Sequence, residues 1–412
     1  MPDRVLRQTR LVRSRIISPT IIRFFCGKVN FSLRHDALLW YDTHMEQILT
    51  ADERAEALRQ LPALLLPWYD KNKRDLPWRI NTDPYRVWIS EIMLQQTRVE
   101  AAKEHYIRFL RELPTVQELA ACTEDKLFKL WEGLGYYSRA RNLQKAAKIV
   151  AETGFPRTAA ELKKLPGVGD YTAGAIASIA FEEPSPAVDG NVIRVLSRLL
   201  GDGRSPETLK TAFAEELAPA YPAQRRGDFT QSLMELGATV CLPSSPLCLT
   251  CPLLALCKTK SDALPARKQK PERRRENKTL LLFRAGEKIA LCRRTGGVLK
   301  GMYGFFAIGA DLSAQQTEAF LHGAGITDFT LGGDRRHKHI FSHIEWNMSA
   351  RAVDLSDEKQ LAAADERAGA QAAGLPDDTE ISAFSSLGFF TRGDIDASVS
   401  LPSAFRWCME QL

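Results

Sequence analysis

No stretch of the 412-residue chain stays apolar for the roughly 20 residues that a bilayer-spanning helix needs, which excludes a membrane-spanning reading. Evenly spread cysteines are also lacking. There are eight in all, and four of them (Cys241, Cys248, Cys251 and Cys257) fall within one short segment, a metal-ligand pattern rather than a disulfide framework. That usage suits a reducing compartment, and the expected location is cytoplasmic. Period-2 alternation is almost missing from Ala55 to Leu256, which argues against strands there. Basic charge is scarce outside two segments. Residues 1–35 carry eight Lys/Arg against Asp3 alone, and residues 258–278 carry nine against three acids, so the net charge of +6 leaves the remainder negative.

What remains is the composition of a soluble globular protein, 44% hydrophobic and 26% charged, in a chain long enough for two or three domains. Residues 1–44 are Arg-rich. They read as a targeting presequence or as sequence lying ahead of a start at Met45, and the lack of a small-residue cleavage site favours the second. Residues 45–257 follow a helical period through Leu58, Leu61, Leu64, Leu65 and Trp68, then Tyr85 to Leu110, Glu124 to Trp131 and Ala140 to Ala151, which predicts an all-α domain. Residues 258–278, with Pro265 and Pro271 among many charges, read as a solvated linker. After it, residues 279–412 read as a smaller α+β domain. A hairpin spans Thr279 to Cys292, a helix Ser313 to His322 and further strand His339 to Val353, while Asp357 to Glu380 reads as a surface helix and loop. A Glu-rich box that would hold catalytic metal ions is absent from it.

Four features can carry chemistry. The stretch Leu165 to Ala175 is an apolar lead-in, a glycine turn and a helix start. Gly167 and Gly169 are expected at positive φ, with N–H groups free to grip a phosphate; a plain helix corner fits equally well. Glu91 has Val87, Trp88, Leu94 and Gln95 as its helical neighbours. A carboxyl on that apolar stripe would be desolvated and suited to general-acid work, unless its head reaches solvent. Asp189 and Asn191 precede an apolar helix and either can cap it; the functional reading has Asp189 face a developing positive charge, and both hold if Asn191 caps while Asp189 points outward. Finally, the Cys-x6-Cys-x2-Cys-x5-Cys run can ligate a [4Fe–4S] cluster or a structural zinc. Its single short Cys-x2-Cys pair favours the cluster.

Together the hairpin, Asp189 and the cysteine loop resemble the helix–hairpin–helix DNA glycosylases of the endonuclease III-like superfamily that carry an iron–sulfur cluster. Arg74-Asp75-Leu76-Pro77-Trp78-Arg79, Ser90 to Thr97, Gly133 to Arg141 and Phe341-Ser342-His343 bring the resemblance to the MutY-type adenine DNA glycosylases. It extends from about Leu64 to the C-terminus. It implies an all-α glycosylase domain with the cluster loop, followed by a Nudix-like domain that reads 8-oxoguanine. The implied activity is excision of adenine opposite 8-oxoguanine or guanine in duplex DNA, by a monomer associated with the nucleoid.

The resemblance also implies roles. Glu91 would protonate a flipped-out adenine and Asp189 would stabilise an oxocarbenium-like sugar, with Tyr171 and Asn191 hydrogen-bonding nearby. Arg74, Leu76, Trp78, Arg79, Leu94, Val99, Gln231 and Met234 would line the adenine pocket. Gln96 and Tyr136 would wedge into the duplex, while Ser342 and His343 would read the opposing base. Tyr171 stands where the endonuclease III-type enzymes place a lysine nucleophile, which implies base removal without strand cleavage. The alternatives are a bifunctional glycosylase and AP lyase, or a non-catalytic DNA-binding protein. Gly301 to Phe306 departs from a family stretch that usually ends Phe-Pro.

Overall fold

The helical region is organised around a seam between two apolar cores. The structure is a computed structural model describing residues 49–265 and 272–412; the expectations for residues 1–44 lie outside the described residues. Helices α1 (Ala51–Arg59) and α2 (Leu61–Asn72) are followed by a 3-10 turn at Pro77–Arg79. Then come α3 (Pro84–Leu94), α4 (Val99–Glu112), α5 (Val116–Ala121), α6 (Glu124–Trp131), α7 (Ser138–Thr153) and α8 (Ala159–Leu162). The glycine turn leads into α9 (Asp170–Phe181), and α10 (Gly190–Leu200), α11 (Pro206–Leu217) and α12 (Arg226–Thr239) complete the region.

Many of these helices start where a side-chain oxygen accepts an orphan N–H. Thr50 and Thr115 form capping boxes with Glu53 and Glu118, and Asp83, Thr123, Thr158 and Ser205 cap α3, α6, α8 and α11. The single helical period expected over Tyr85 to Leu110 divides into α3 and α4. Gln95 leaves the helix at ψ 112° and Gln96 turns at φ 58°, a break that apolar periodicity does not register.

Trp88, Ile92, Tyr106, Phe109, Trp131 and Ile176 belong to one core; Leu58, Leu61, Leu65, Leu196, Phe213 and Phe229 belong to the other. Each such side chain contributes about 1.5–3 kcal/mol by leaving water. The chain crosses between the cores at Ala187, in the first, and Val188, in the second, which brings Asp189 to the seam.

The C-terminal domain is a mixed sheet flanked by helices. Its elements are β1 (Arg274–Ala285), β2 (Lys288–Arg293), β3 (Tyr303–Gly304), β4 (Phe306–Ile308), α13 (Ala314–Gly323), β5 (Phe329–Ile340), β6 (Ile344–Leu355), α14 (Glu366–Ala372), β7 (Leu387–Thr391), α15 (Arg392–Ser398) and α16 (Ser403–Arg406). The strand order is β3-β2-β1-β6-β5, with β1 parallel to β6 and antiparallel to β2. Arg284 pairs with Ile289 across a two-residue turn at Gly286, the hairpin read from the sequence.

Three expectations are corrected. The linker is shorter than 258–278, because β1 already begins at Arg274. Lys278 is buried there and pairs with Glu276 at 3.4 Å and Glu380 at 3.0 Å. Its first residues also run along α10, where Arg198 Nε donates to the Leu264 carbonyl at 2.7 Å. Residues 357–380 are more than surface, since Leu361, Ala370 and Ala373 belong to the core that includes Phe320 of α13. Lastly, β5 starts at Phe329, ten residues ahead of the expected strand, because its exposed and charged residues hide the alternation.

The two domains are bolted together along α6. Lys129 Nζ donates to the carbonyls of Ile395 (3.2 Å) and Val399 (3.1 Å), and Ser400 Oγ donates to the Phe128 carbonyl (3.1 Å). Glu132 accepts from the Leu401 N–H at 3.0 Å and pairs with Arg406 at 3.0 Å. Met302, in the loop that departs from the family pattern, is buried among the residues of the first helical core.

Candidate active site

At the seam, α3 and α9 bring two titratable side chains into contact. The Tyr171 phenol donates to Glu91 Oε2 at 2.6 Å. Glu91 is only 6% exposed, and burial pushes its carboxyl up to about 7; the Tyr171 hydrogen bond pulls down, the charge of Asp189 pushes up, and Arg79 pulls down. Burial, together with the charges of Glu91 and Asp189, raises the Tyr171 phenol well above its ordinary value, so it stays a donor.

Asp189 caps α10 itself: its Oδ1 accepts the Val192 N–H at 2.8 Å and its Oδ2 accepts the Asn191 side-chain amide at 2.8 Å. Of the two cap candidates, Asp189 and Asn191, it is Asp189 that caps. An aspartate at this position reaches the free N–H groups of the first turn, whereas Asn191 already lies within the helix. Burial raises the Asp189 carboxyl, and its two donors oppose that rise. With two donors and a helix N-terminus, Asp189 ionises more readily than Glu91, which has one donor. The two carboxyl groups thus sit in unlike environments, the arrangement that lets a pair take opposite protonation states.

Asn191 Oδ1 in turn accepts from Arg194 Nη2 at 2.8 Å, and Arg194 Nε donates to the Cys241 carbonyl at 2.7 Å. Gly237 permits this closeness, since a Cβ there would lie 2.6 Å from the Cβ of Asn191.

Arg74 and Arg79 converge on Glu235, a carboxylate that sequence reasoning missed. Arg74 reaches it at 2.8 and 2.9 Å and Arg79 at 2.8 Å, while Arg79 Nε also donates to Gln231 Oε1 at 3.1 Å. Glu235 is 1% exposed. Burial alone would raise its carboxyl, but the hydrogen bonds from both arginines prevail and bring it down to about 2. Its place between Met234 and Leu236, a carboxylate flanked by apolar side chains, was the available signal. Leu76 and Trp78 lie in the first core, Trp78 edge-on to Tyr106, and Leu94 and Val99 pack against that core. Met234 touches both cores.

In the hairpin only Gly167 has positive φ, at 79°; Gly169 is extended at φ −94° and ψ −178° as the N-cap of α9. The expectation of two positive-φ glycines is corrected because one left-handed residue already reverses the chain. A side chain at Gly167 would strike Asn142, whereas the space beside Gly169 is open to an approaching backbone or phosphate.

Gln96 and Tyr136 are both exposed, and the Tyr136 hydroxyl lies 2.5 Å from Ser342 Oγ of the C-terminal domain. His343 is exposed beside it at the turn between β5 and β6. The four clustered cysteines line one cavity with Arg198, Leu199 and Leu253. Among the described residues no three ligand side chains converge on a point suited to a single metal ion. Four thiols lining one apolar cavity are a soft donor set that fits an iron–sulfur group. Arg198 Nη1 lies 3.4 Å from Cys241 Sγ, a donor of the kind that tunes cluster sulfurs.

The sequence pattern of the HhH-GPD superfamily base excision DNA repair proteins matches residues 89–219. The adenine DNA glycosylases of Rattus norvegicus and Homo sapiens are 50% and 48% identical to the chain over 212 and 214 residues. Those matches take in 47% and 48% of this chain, less than the stretch from Leu64 onward over which the motifs resemble the family. The chain spans only 40% and 38% of the length of these relatives. A solved thermostable thymine-DNA glycosylase is 29% identical, with a TM-score of 0.46, over 50% of this chain and 97% of that one. Residues 89–219 thus carry the pattern of the HhH-GPD superfamily base excision DNA repair proteins, and about half of the chain is similar to adenine DNA glycosylases.

Proposed function

We propose that the chain is a monofunctional adenine DNA glycosylase of base excision repair that hydrolyses the N-glycosidic bond of adenine opposite 8-oxoguanine or guanine. The observation that carries this reading is the Tyr171–Glu91 hydrogen bond, which holds a proton-bearing carboxyl at a seam that also presents Asp189.

An adenine stacked in duplex DNA is out of reach and must be extruded. Glu91 then gives its proton to N7, the C1′–N9 bond breaks, and its electron pair leaves with the base. The sugar becomes oxocarbenium-like, and the Asp189 carboxylate offsets that positive charge. A water supplies hydroxide to C1′, its proton passes to a carboxylate, and the products are adenine and an abasic site. The strand-cleaving step of a lyase needs an amine to form a Schiff base, and the Tyr171 phenol cannot form one.

Arg74 and Arg79, tied together through Glu235, and Gln231, held by Arg79, would border the adenine pocket. Gln96 and Tyr136 would fill the space left in the stack, and Ser342 and His343 would read the opposing base. Cys241, Cys248, Cys251 and Cys257 would hold a [4Fe–4S] cluster that cross-links the end of the helical domain. The protein would act as a monomer on nucleoid DNA in the cytoplasm.

The test is product analysis on a duplex with one adenine opposite 8-oxoguanine. The reading expects free adenine and an abasic strand left intact until alkali is added. Covalent trapping of DNA by borohydride would instead show a bifunctional lyase, and binding without base release would show a non-catalytic protein.

A further inference from the structure

A single guanidinium holds both segments that carry the exposed residues Gln96 and Tyr136. Helix α3 ends at Leu94 without a backbone cap, and its last carbonyls need other donors. Arg139, in the first turn of α7, supplies them. Its Nη1 donates to the carbonyls of Ile92 (2.7 Å), Met93 (3.3 Å) and Gln95 (2.5 Å). Its Nη2 donates to those of Leu134 (2.9 Å) and Gly135 (3.3 Å). Gln96 directly follows the last acceptor of the first set, and Tyr136 directly follows the last acceptor of the second. Both have left-handed backbones, at φ 58° and φ 46°, a conformation that persists in residues with side chains only where the surroundings enforce it. The same guanidinium lies over the rings of Trp131 (5.5 Å) and Tyr136 (5.6 Å).

Among the described residues no carboxylate pairs with Arg139, whereas Arg74 and Arg79 pair with Glu235 and Arg194 donates to Asn191 Oδ1. Burial brings its pKa down only to about 10, so the charge persists at neutral pH. A half-buried cation without a counter-ion is costly unless dipoles replace the lost water. Here the dipoles are the C-terminus of α3 and the carbonyls of the Leu134–Gly135 turn, and they belong to the two loops alone.

We propose that Arg139 is the positioning residue that fixes Gln96 and Tyr136 relative to each other, so that the two enter the duplex as a matched pair. This rests on the reading of the chain as a glycosylase that opens DNA. Only a planar fork reaches both carbonyl sets at once; a lysine at the same place has one nitrogen and serves one loop at a time.

The experiment measures duplex opening apart from chemistry. A duplex with 2-aminopurine beside the target adenine, opposite 8-oxoguanine, is bound by Glu91→Gln protein with and without Arg139→Lys, and the fluorescence gain on unstacking is read. Arg139→Lys in the otherwise wild-type chain should slow single-turnover adenine release about tenfold, the worth of one charge-assisted hydrogen bond. In the Glu91→Gln background it should diminish the fluorescence gain in parallel, and the pH dependence of release should keep its wild-type limb. In a Gln96→Ala, Tyr136→Ala background the added Arg139→Lys should cost nothing further. A full additional tenfold loss there, or slowed release with an unchanged fluorescence gain, would overturn the proposal.

If Arg139→Lys lacks wild-type helix content, hydrogen exchange of the wild-type chain decides. Amides 95–97 and 134–137 should open together, and independent opening would overturn the proposal. A wild-type chain that unstacks the duplex but releases no adenine would refute the glycosylase reading while leaving the role of Arg139 standing.

Discussion

The Tyr171 phenol sits 2.6 Å from Glu91 Oε2, and through that bond the helix that follows the glycine turn sets the acidity of a carboxyl on another helix. Because the hydrogen bond favours the ionised form, Tyr171 keeps Glu91 lower than burial alone would. The general acid works only while protonated. The kcat/KM for adenine release should therefore fall about tenfold per pH unit above the Glu91 pKa of about 7. Tyr171→Phe removes the lowering contact, so Glu91 rises further and this alkaline limb moves to higher pH. A pH–rate profile of both proteins checks it; a limb that moves to lower pH would contradict the geometry.

Glu235 is the buried counter-ion of Arg74 and Arg79, and removing it strands two cations. Glu235→Ala should cost about 3–5 kcal/mol in urea unfolding, as for other broken buried pairs. The sign with pH follows from its depressed carboxyl. The contribution is present above the ordinary value of 4.5 and is lost as pH falls toward about 2. A mutant as stable as wild type at pH 7 would show that the pair contributes nothing.

Much of this was legible in the residues, and the gaps have physical causes. The Glu91 stripe, the apolar α10 and the cysteine spacing are local patterns, and each led to the right element. The partner of Arg74 and Arg79 lies more than 150 residues away, and Arg139 bonds only to backbone carbonyls, which leave no mark in side-chain pattern. The break at Gln96 and the early start of β5 were missed for a related reason: a turn residue without glycine or proline, and a strand with polar residues on both faces, carry no periodic signal. Cap identity at Asp189 turned on two residues of register.

Four thiols around one apolar cavity should bring iron with the purified protein. About four iron and four acid-labile sulfide per chain are expected, with loss of both on changing Cys251 to Ala. Stoichiometric zinc, with no visible absorption from iron–sulfur charge transfer, would contradict the assignment.

Ser342 meets Tyr136 across the domain interface, so the loop proposed to read the opposing base and the proposed wedge share one contact. Changing Ser342 and His343 to Ala should lower adenine release opposite 8-oxoguanine by about tenfold, as expected for one lost hydrogen bond to the lesion. Release opposite guanine should change much less. Single-turnover rates on the two duplexes check this, and equal losses on both would show that the loop does not discriminate.

The most direct measurement is release of free adenine from a duplex with one adenine opposite 8-oxoguanine, by the wild-type chain and by Glu91→Gln. The account predicts release by the wild type and a loss of at least about a thousandfold in the mutant, which still binds the duplex but has no proton to give. Equal rates from the two proteins, or no release by the wild type, would contradict it.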